Sequence, residues 1–290
     1  MIETTVDRPA ANEMRGGERT ALLALAAFTA AAIAGFAVFG MHPERLIANP
    51  RAAAVYGPAF VVFARGQVLL SAAVLIFMLV RRAGGRWCSA FVAIYMTSLC
   101  SELAGTTVGL PFGPYRYTDG LGPKWFGHVP WLIPLSWFLM AVPSYALARR
   151  LIPNRSAAAR ALVGSFVLLS WDLALDPAMS HVTKYWVWGI SGVYYGMPWL
   201  NLFGWYITGL VLMTILIAMH ADRWLVNVPT QWMALFYAVN LALPIGLDAA
   251  AHADGAVVAS MLPVAVCIAA MRSRARLGVE FPERASAEVS

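Results

Sequence analysis

ALLALAAFTAAAIAGFAVFG, residues 21–40, runs for twenty positions without a charged, amide or imidazole side chain. At 1.5 Å per residue a helix of that length reaches roughly 30 Å, the thickness of a bilayer's hydrocarbon layer. Working outward, comparable apolar runs recur at 55–80, 88–105, 129–148, 160–176, 201–219, 231–249 and 255–271. The chain of 290 residues is 60% hydrophobic and only 12% charged, about half the charge of an ordinary soluble domain. The expected fold is therefore all-α, a polytopic integral membrane bundle of about eight transmembrane helices. The expected organisation is a polar tail over 1–20, a membrane domain over 21–276 and a second tail over 277–290. No soluble domain is expected.

Lys and Arg gather in short cytoplasmic loops, which orients the bundle. With the N-terminus inside, fifteen of the 21 basic residues fall on the cytoplasmic side: Arg8, Arg15, Arg19, Arg81, Arg82, Arg86, Arg149, Arg150, Arg155, Arg160, Arg223, Arg272, Arg274, Arg276 and Arg284. Arg45, Arg51, Arg116, Lys124 and Lys184 lie outside, and Arg65 lies within a span. Both termini are expected to be cytoplasmic, in a multi-pass protein of the cell's inner membrane. The formal charge of +6 is this topology signal, and no basic stripe with interleaved aromatics is left for nucleic acid. The first span is long for a cleaved signal core and reads as a retained anchor. Cys88, Cys100 and Cys267 have no metal-type spacing and read as small apolar residues.

The outside segments differ from the short basic loops. TTVGLPFGPYRYTDGLGPKWFGH, 106–128, and PAMSHVTKYWVWGISGVYYGMPWL, 177–200, are rich in Gly, Pro, Trp and Tyr and resist regular helix. An aromatic belt at the interface explains part of this; the crowding of Tyr185, Trp186, Trp188, Tyr194, Tyr195 and Trp199 exceeds what anchoring requires.

Carboxylates within spans are costly and mark candidate sites. Glu102 lies deep in the third span. Asp172 and Asp176 are four apart and share one face of the fifth. Asn240, Pro244 and Asp248 repeat that spacing in the seventh, where the Pro should kink the helix. Arg65 is the one cation at similar depth and is expected to ion-pair with one carboxylate. It cannot neutralise Glu102, Asp172 and Asp176 together, so at least one acid is expected to keep its proton through desolvation and like-charge repulsion. Such a group is suited to general-acid chemistry. His42, His128, His181, His220 and His252 are scattered singly, so paired-histidine iron boxes are missing, as are GxSxG and Walker motifs. No metal site is expected.

At these segments the sequence resembles the membrane-bound carotenoid hydratases of the carotenoid biosynthesis protein group, which include gamma-carotene hydratases and archaeal bisanhydrobacterioruberin hydratases. The resemblance runs through Glu102, Gly105, Gly109, Pro111, Phe112, Gly113, Tyr115, Tyr117, Leu121, Gly122, Val129, Pro130, Pro134 and Trp137. A second block holds Asp172, Asp176, Pro177, Met179, Trp186, Trp188, Gly192, Tyr194, Tyr195, Gly196, Pro198, Asn201, Gly204 and Trp205. It spans about 98–206 and leaves Arg65, Asn240 and Asp248 outside.

The resemblance implies addition of water across the terminal C1–C2 double bond of an acyclic carotenoid end group, lycopene-like or gamma-carotene-like, giving a tertiary alcohol without a cofactor. The residues suit that chemistry. Asp172 or Glu102 is the candidate proton donor, and Asp176 or Asp119 the candidate for activating water. Tyr115, Tyr117 and Asn201 are candidates for placing that water. Trp171, Trp186, Trp188, Tyr194, Tyr195 and Trp205, with Trp137, offer aromatic faces to substrate and carbocation. A substrate soluble only in lipid explains the membrane. Two other readings compete: a prenyltransferase holding magnesium diphosphate on Asp172 and Asp176, which lacks a second acidic motif, and a lipid transporter or scaffold.

Overall fold

The computed structural model describes residues 14–153 and 155–276. In chain order the elements are α1 (Gly16–Gly35), α2 (Pro43–Ile47), α3 (Pro50–Ala83), α4 (Trp87–Val108), β1 (Tyr115–Tyr117), β2 (Lys124–Trp125), β3 (Val129–Pro130), α5 (Leu132–Leu151), α6 (Ala157–Asp176), β4 (Trp186–Trp188), α7 (Trp199–Ala218), α8 (Ala221–Trp224), α9 (Thr230–Ala250) and α10 (Asp254–Arg276). Helices α1 and α6 each continue into a π turn, Phe36–Gly40 and Pro177–Val182. The molecule is an all-α polytopic bundle. Seven helices among the described residues are long and apolar enough to cross a membrane: α1 and α6 with their π turns, α3, α4, α5, α7 and α9. The eighth expected span falls within α10, several of whose side chains, Cys267 among them, lie outside the described residues.

The expected tail boundary at residue 20 shifts, because α1 begins at Gly16. Glu18 is the reason. Its carboxylate accepts from the Arg15 backbone N–H at 2.8 Å and from Arg82 Nε at 2.7 Å and NH2 at 2.8 Å. A buried Glu with a two-pronged Arg partner lets the helix start before the apolar run does. The rest of the proposed tails, residues 1–13 and 277–290, lies outside the described residues. At the same basic end of the bundle, Asp222 pairs with Arg149 at 2.8 Å and Arg160 at 2.9 Å and accepts from Tyr145 at 3.0 Å. This ties α5 and α6 to α8.

Helix α5 is the central post, packed by α3, α4, α6, α7 and α9 and buried on every side from Trp137 to Ala146. Small residues let its neighbours close up, as membrane helices require when lipid supplies no hydrophobic drive. A Cβ on Gly209 of α7 would stand 2.7 Å from the Ser165 hydroxyl of α6. That hydroxyl donates to the Tyr206 carbonyl. In α9, Pro244 has no N–H for the carbonyl of Asn240, and Trp171 Nε1 of α6 donates to that oxygen instead at 3.3 Å.

The two long loops meet. Strand β1 pairs antiparallel with β4, in the register Tyr115 to Trp188, Arg116 to Val187 and Tyr117 to Trp186. Strands β2 and β3 close a short hairpin. Period-2 alternation buries Tyr115 and Tyr117 and leaves Arg116 exposed. The segments that resist helix thus form a small, two-stranded cap over α4, α5, α6 and α7.

Candidate functional site

Beneath this cap the three buried acids face one space. Glu102 sits in the last two turns of α4 and is 4% exposed. Its Oε2 accepts from the phenols of Tyr115 and Tyr117, the latter at 2.8 Å, and its Oε1 accepts from Trp137 Nε1 at 2.9 Å. Gly105, one turn nearer the cap, makes this possible: a Cβ there would come within 2.8 Å of the rings of Phe112 and Tyr115. Burial first, and then the facing Glu102 charge, hold both phenols well above the usual tyrosine range. They keep their protons and act as donors.

Across from Glu102, the last turns of α6 present Asp172 and Asp176, with Asn201 of α7 between them. Asn201 Nδ2 donates to Asp172 Oδ2 at 2.9 Å and lies 3.5 Å from Asp176 Oδ2. Asp176 Oδ1 accepts from Trp186 Nε1 of β4 at 2.7 Å. Asp172 Oδ1 has no partner among the described residues. Since Asp176 closes α6 and the chain then widens into the π turn, the register of the acidic face changes immediately after it. Local π turns of this kind recur at functional sites.

Two adjoining cavities define the space. The smaller, about 30 Å³, is lined by Glu102, Asp172, Asp176, Asn201, Tyr115 and Tyr117, with Trp137, Trp186, Trp188 and Trp205 closing the walls. It has room for a water or two. The larger, about 120 Å³, is bounded by α1, α3, α5, α6 and α9 and is almost wholly apolar, with Phe36, Phe60, Phe63 and Trp171 along it. Ile133, Ser136, Leu175 and Trp186 line both. The indoles form a continuous wall: Trp137 stacks on Trp205 at 3.9 Å, and Trp171 meets Trp205 edge-on at 5.9 Å. Tyr115 lies 5.2 Å from Trp188, and Tyr117 lies 5.8 Å from Trp186.

Some expected residues stand elsewhere. Asp119 has a fully exposed side chain paired with Lys124 at 2.7 Å, which holds its carboxyl below the usual range; it lines neither cavity. Arg65 makes no ion pair with a buried acid among the described residues. Its Nε donates to the Gly120 carbonyl at 3.0 Å and its NH2 group to that of Asp119 at 3.4 Å. The physical reason is that the 118–122 turn descends beside α3 and presents carbonyls to the guanidinium before any carboxylate is in reach. Tyr194 donates to the Leu173 carbonyl at 2.6 Å and packs edge-on against Tyr195 at 5.2 Å, and both lie outside the two cavities. Asn240 accepts from Ser71 at 2.7 Å and borders the apolar chamber.

Ser136, Phe112, Ile133 and Leu175 line the small cavity without having been singled out as site residues. Ser136, next to Trp137 inside an apolar run, carried a faint signal; Ile133 and Leu175 carried none. Among the described residues no three His, Cys, Asp or Glu side chains gather as a metal-ligand set.

Residues 63–270 match the family described as carotenoid biosynthesis protein. The chain belongs to this family. The family match reaches Arg65, Asn240 and Asp248, beyond the segment over which the motifs carry the resemblance. Bisanhydrobacterioruberin hydratase from Haloarcula japonica is 34% identical over 170 residues, which are 58% of this chain and 55% of that protein. The chain thus spans about half the length of the curated relative it matches. No solved structure matches.

Proposed function

We propose that this protein is a carotenoid hydratase of the cytoplasmic membrane, with both termini inside, which adds water to the terminal C1–C2 double bond of an acyclic carotenoid end group. The observation that carries the reading is the joining of an apolar chamber to a small cavity holding three carboxyl groups, with indole faces at the junction. The name of the Haloarcula relative agrees with it.

The polyene end lies in the apolar chamber and its terminal alkene reaches past Trp186 and Leu175. Asp172, whose Oδ1 no protein group engages, transfers a proton to C2. The C1 cation that forms is tertiary, and each desolvated indole face stabilises it by roughly 0.5–2 kcal/mol. Glu102, ringed by three donors that favour its charged form, supplies the counter-charge. Water adds its oxygen to C1 and gives a proton to Asp176. Asn201, in contact with both aspartates, bridges the route by which the proton returns to Asp172. Atoms balance as alkene plus water to tertiary alcohol, so no redox cofactor is required.

Expression in lycopene-producing cells tests this. Extracts should contain carotenoid heavier by one water per reacted end, and Glu102→Gln, Asp172→Asn and Asp176→Asn should each deplete it. Full hydroxylation by all three variants would overturn the assignment.

A further inference from the structure

Asp248 is unused by the mechanism above, yet it is wholly buried and neither of its carboxyl oxygens has a partner among the described residues. It does not stand alone. Three buried polar atoms without a protein partner among the described residues, Asp172 Oδ1 and both carboxyl oxygens of Asp248, belong to residues that feel the charge of Asp176, toward which the Ser180 hydroxyl and the Trp188 indole N–H also turn. Unpaired buried polar atoms are rare and costly. A concentration of them around one carboxylate marks a place built for a small polar ligand.

The backbone brings the elements carrying Asp248 and Ser180 together. The π turn carrying Ser180 packs on α9, which carries Asp248. Their chain neighbours Met179 and Leu247 both line the apolar chamber, so the two polar groups stand just behind that chamber's wall, on the α9 side of Asp176. Two carboxyl oxygens and a hydroxyl offer a water molecule the two to four partners it needs.

We infer that Asp248 and Ser180 form a water site that supplies the nucleophile to Asp176, from the side opposite Glu102. This rests on the hydratase reading and deepens it. Water reaches the cation from a held position rather than sharing the apolar chamber with the polyene, which keeps the chamber dry until the proton has moved. Asp248 and Ser180 are positioning residues: they act through the water and through Asp176.

The consequence is a change in how the cation partitions. A cation that finds no water returns a proton from C2 and reverts to alkene. In D2O that cycle leaves deuterium at C2 of the recovered carotenoid, whereas capture gives the alcohol. The experiment uses the purified full chain in detergent with lycopene in D2O, scoring alcohol and deuterated alkene by mass spectrometry. Asp248→Asn and Ser180→Ala should each lower the alcohol-to-deuterated-alkene ratio by about tenfold, the loss of one hydrogen bond to the reacting water. If the wild type forms alcohol and no deuterated alkene, deuterated alkene should first appear in the variants. An unchanged ratio in both variants, or loss of alcohol and label in equal proportion, overturns the inference. A wild type that yields neither product removes the hydratase reading itself.

Discussion

Glu102→Gln isolates the role of the carboxyl group beneath the cap. Glutamine keeps the shape of the side chain but exchanges one acceptor oxygen for an NH2 group. If the amide oxygen turns toward Tyr115 and Tyr117, Trp137 Nε1 loses the acceptor it holds at 2.9 Å, and one orphaned buried donor costs about 1–3 kcal/mol. The two phenol bonds lose their charge assistance, about 1 kcal/mol each. The total, about 3–5 kcal/mol, is a large share of the 5–15 kcal/mol that ordinarily holds a domain together. The rate should fall further, by about 10²–10³-fold, because the counter-charge to the cation is gone. Tyr117→Phe removes one donor of the three and keeps the anion, so it should cost only about 1.5–3 kcal/mol. Carotenoid extracts normalised to protein, together with thermal melts in detergent, read both effects. A Gln variant that melts and hydrates like the wild type refutes the reasoning.

Three further outcomes follow from the same geometry. Trp205→Leu removes the stack on Trp137 and the edge contact with Trp171, and hydration should slow by about 2- to 30-fold, the worth of one cation–π face, measured as alcohol formed per unit time. Gly105→Ala pushes a methyl into Phe112 and Tyr115; overpacking of about 1–3 kcal/mol should lower the melting temperature and weaken hydration together. Asp119→Asn should leave the alcohol yield unchanged, since that carboxylate is fully exposed beside Lys124, and a large loss would return Asp119 to the site.

The spans were legible because apolar runs of bilayer length need no tertiary information, and Glu102, Asp172 and Asp176 stood out because an acid in such a run is costly. Their convergence was not legible. It depends on β1 pairing with β4 across about seventy residues of chain, and neither short strand declares its partner in composition. Arg65 shows the same gap: its depth suggested a carboxylate partner, but the loop that reaches it comes from 55 residues away and offers carbonyls. Tyr194 and Tyr195 look like their neighbours Trp186 and Trp188 in sequence, and only the bridge Gly192 to Gly196, which folds that stretch back on itself, separates them from the cavity.

The most direct measurement follows the oxygen atom. Purified protein in lipid vesicles, given an acyclic carotenoid in oxygen-18 water without added cofactor, should produce a tertiary alcohol carrying the heavy oxygen at C1. An alcohol with unlabelled oxygen, or a carotenoid recovered unchanged beside folded protein, would contradict the account.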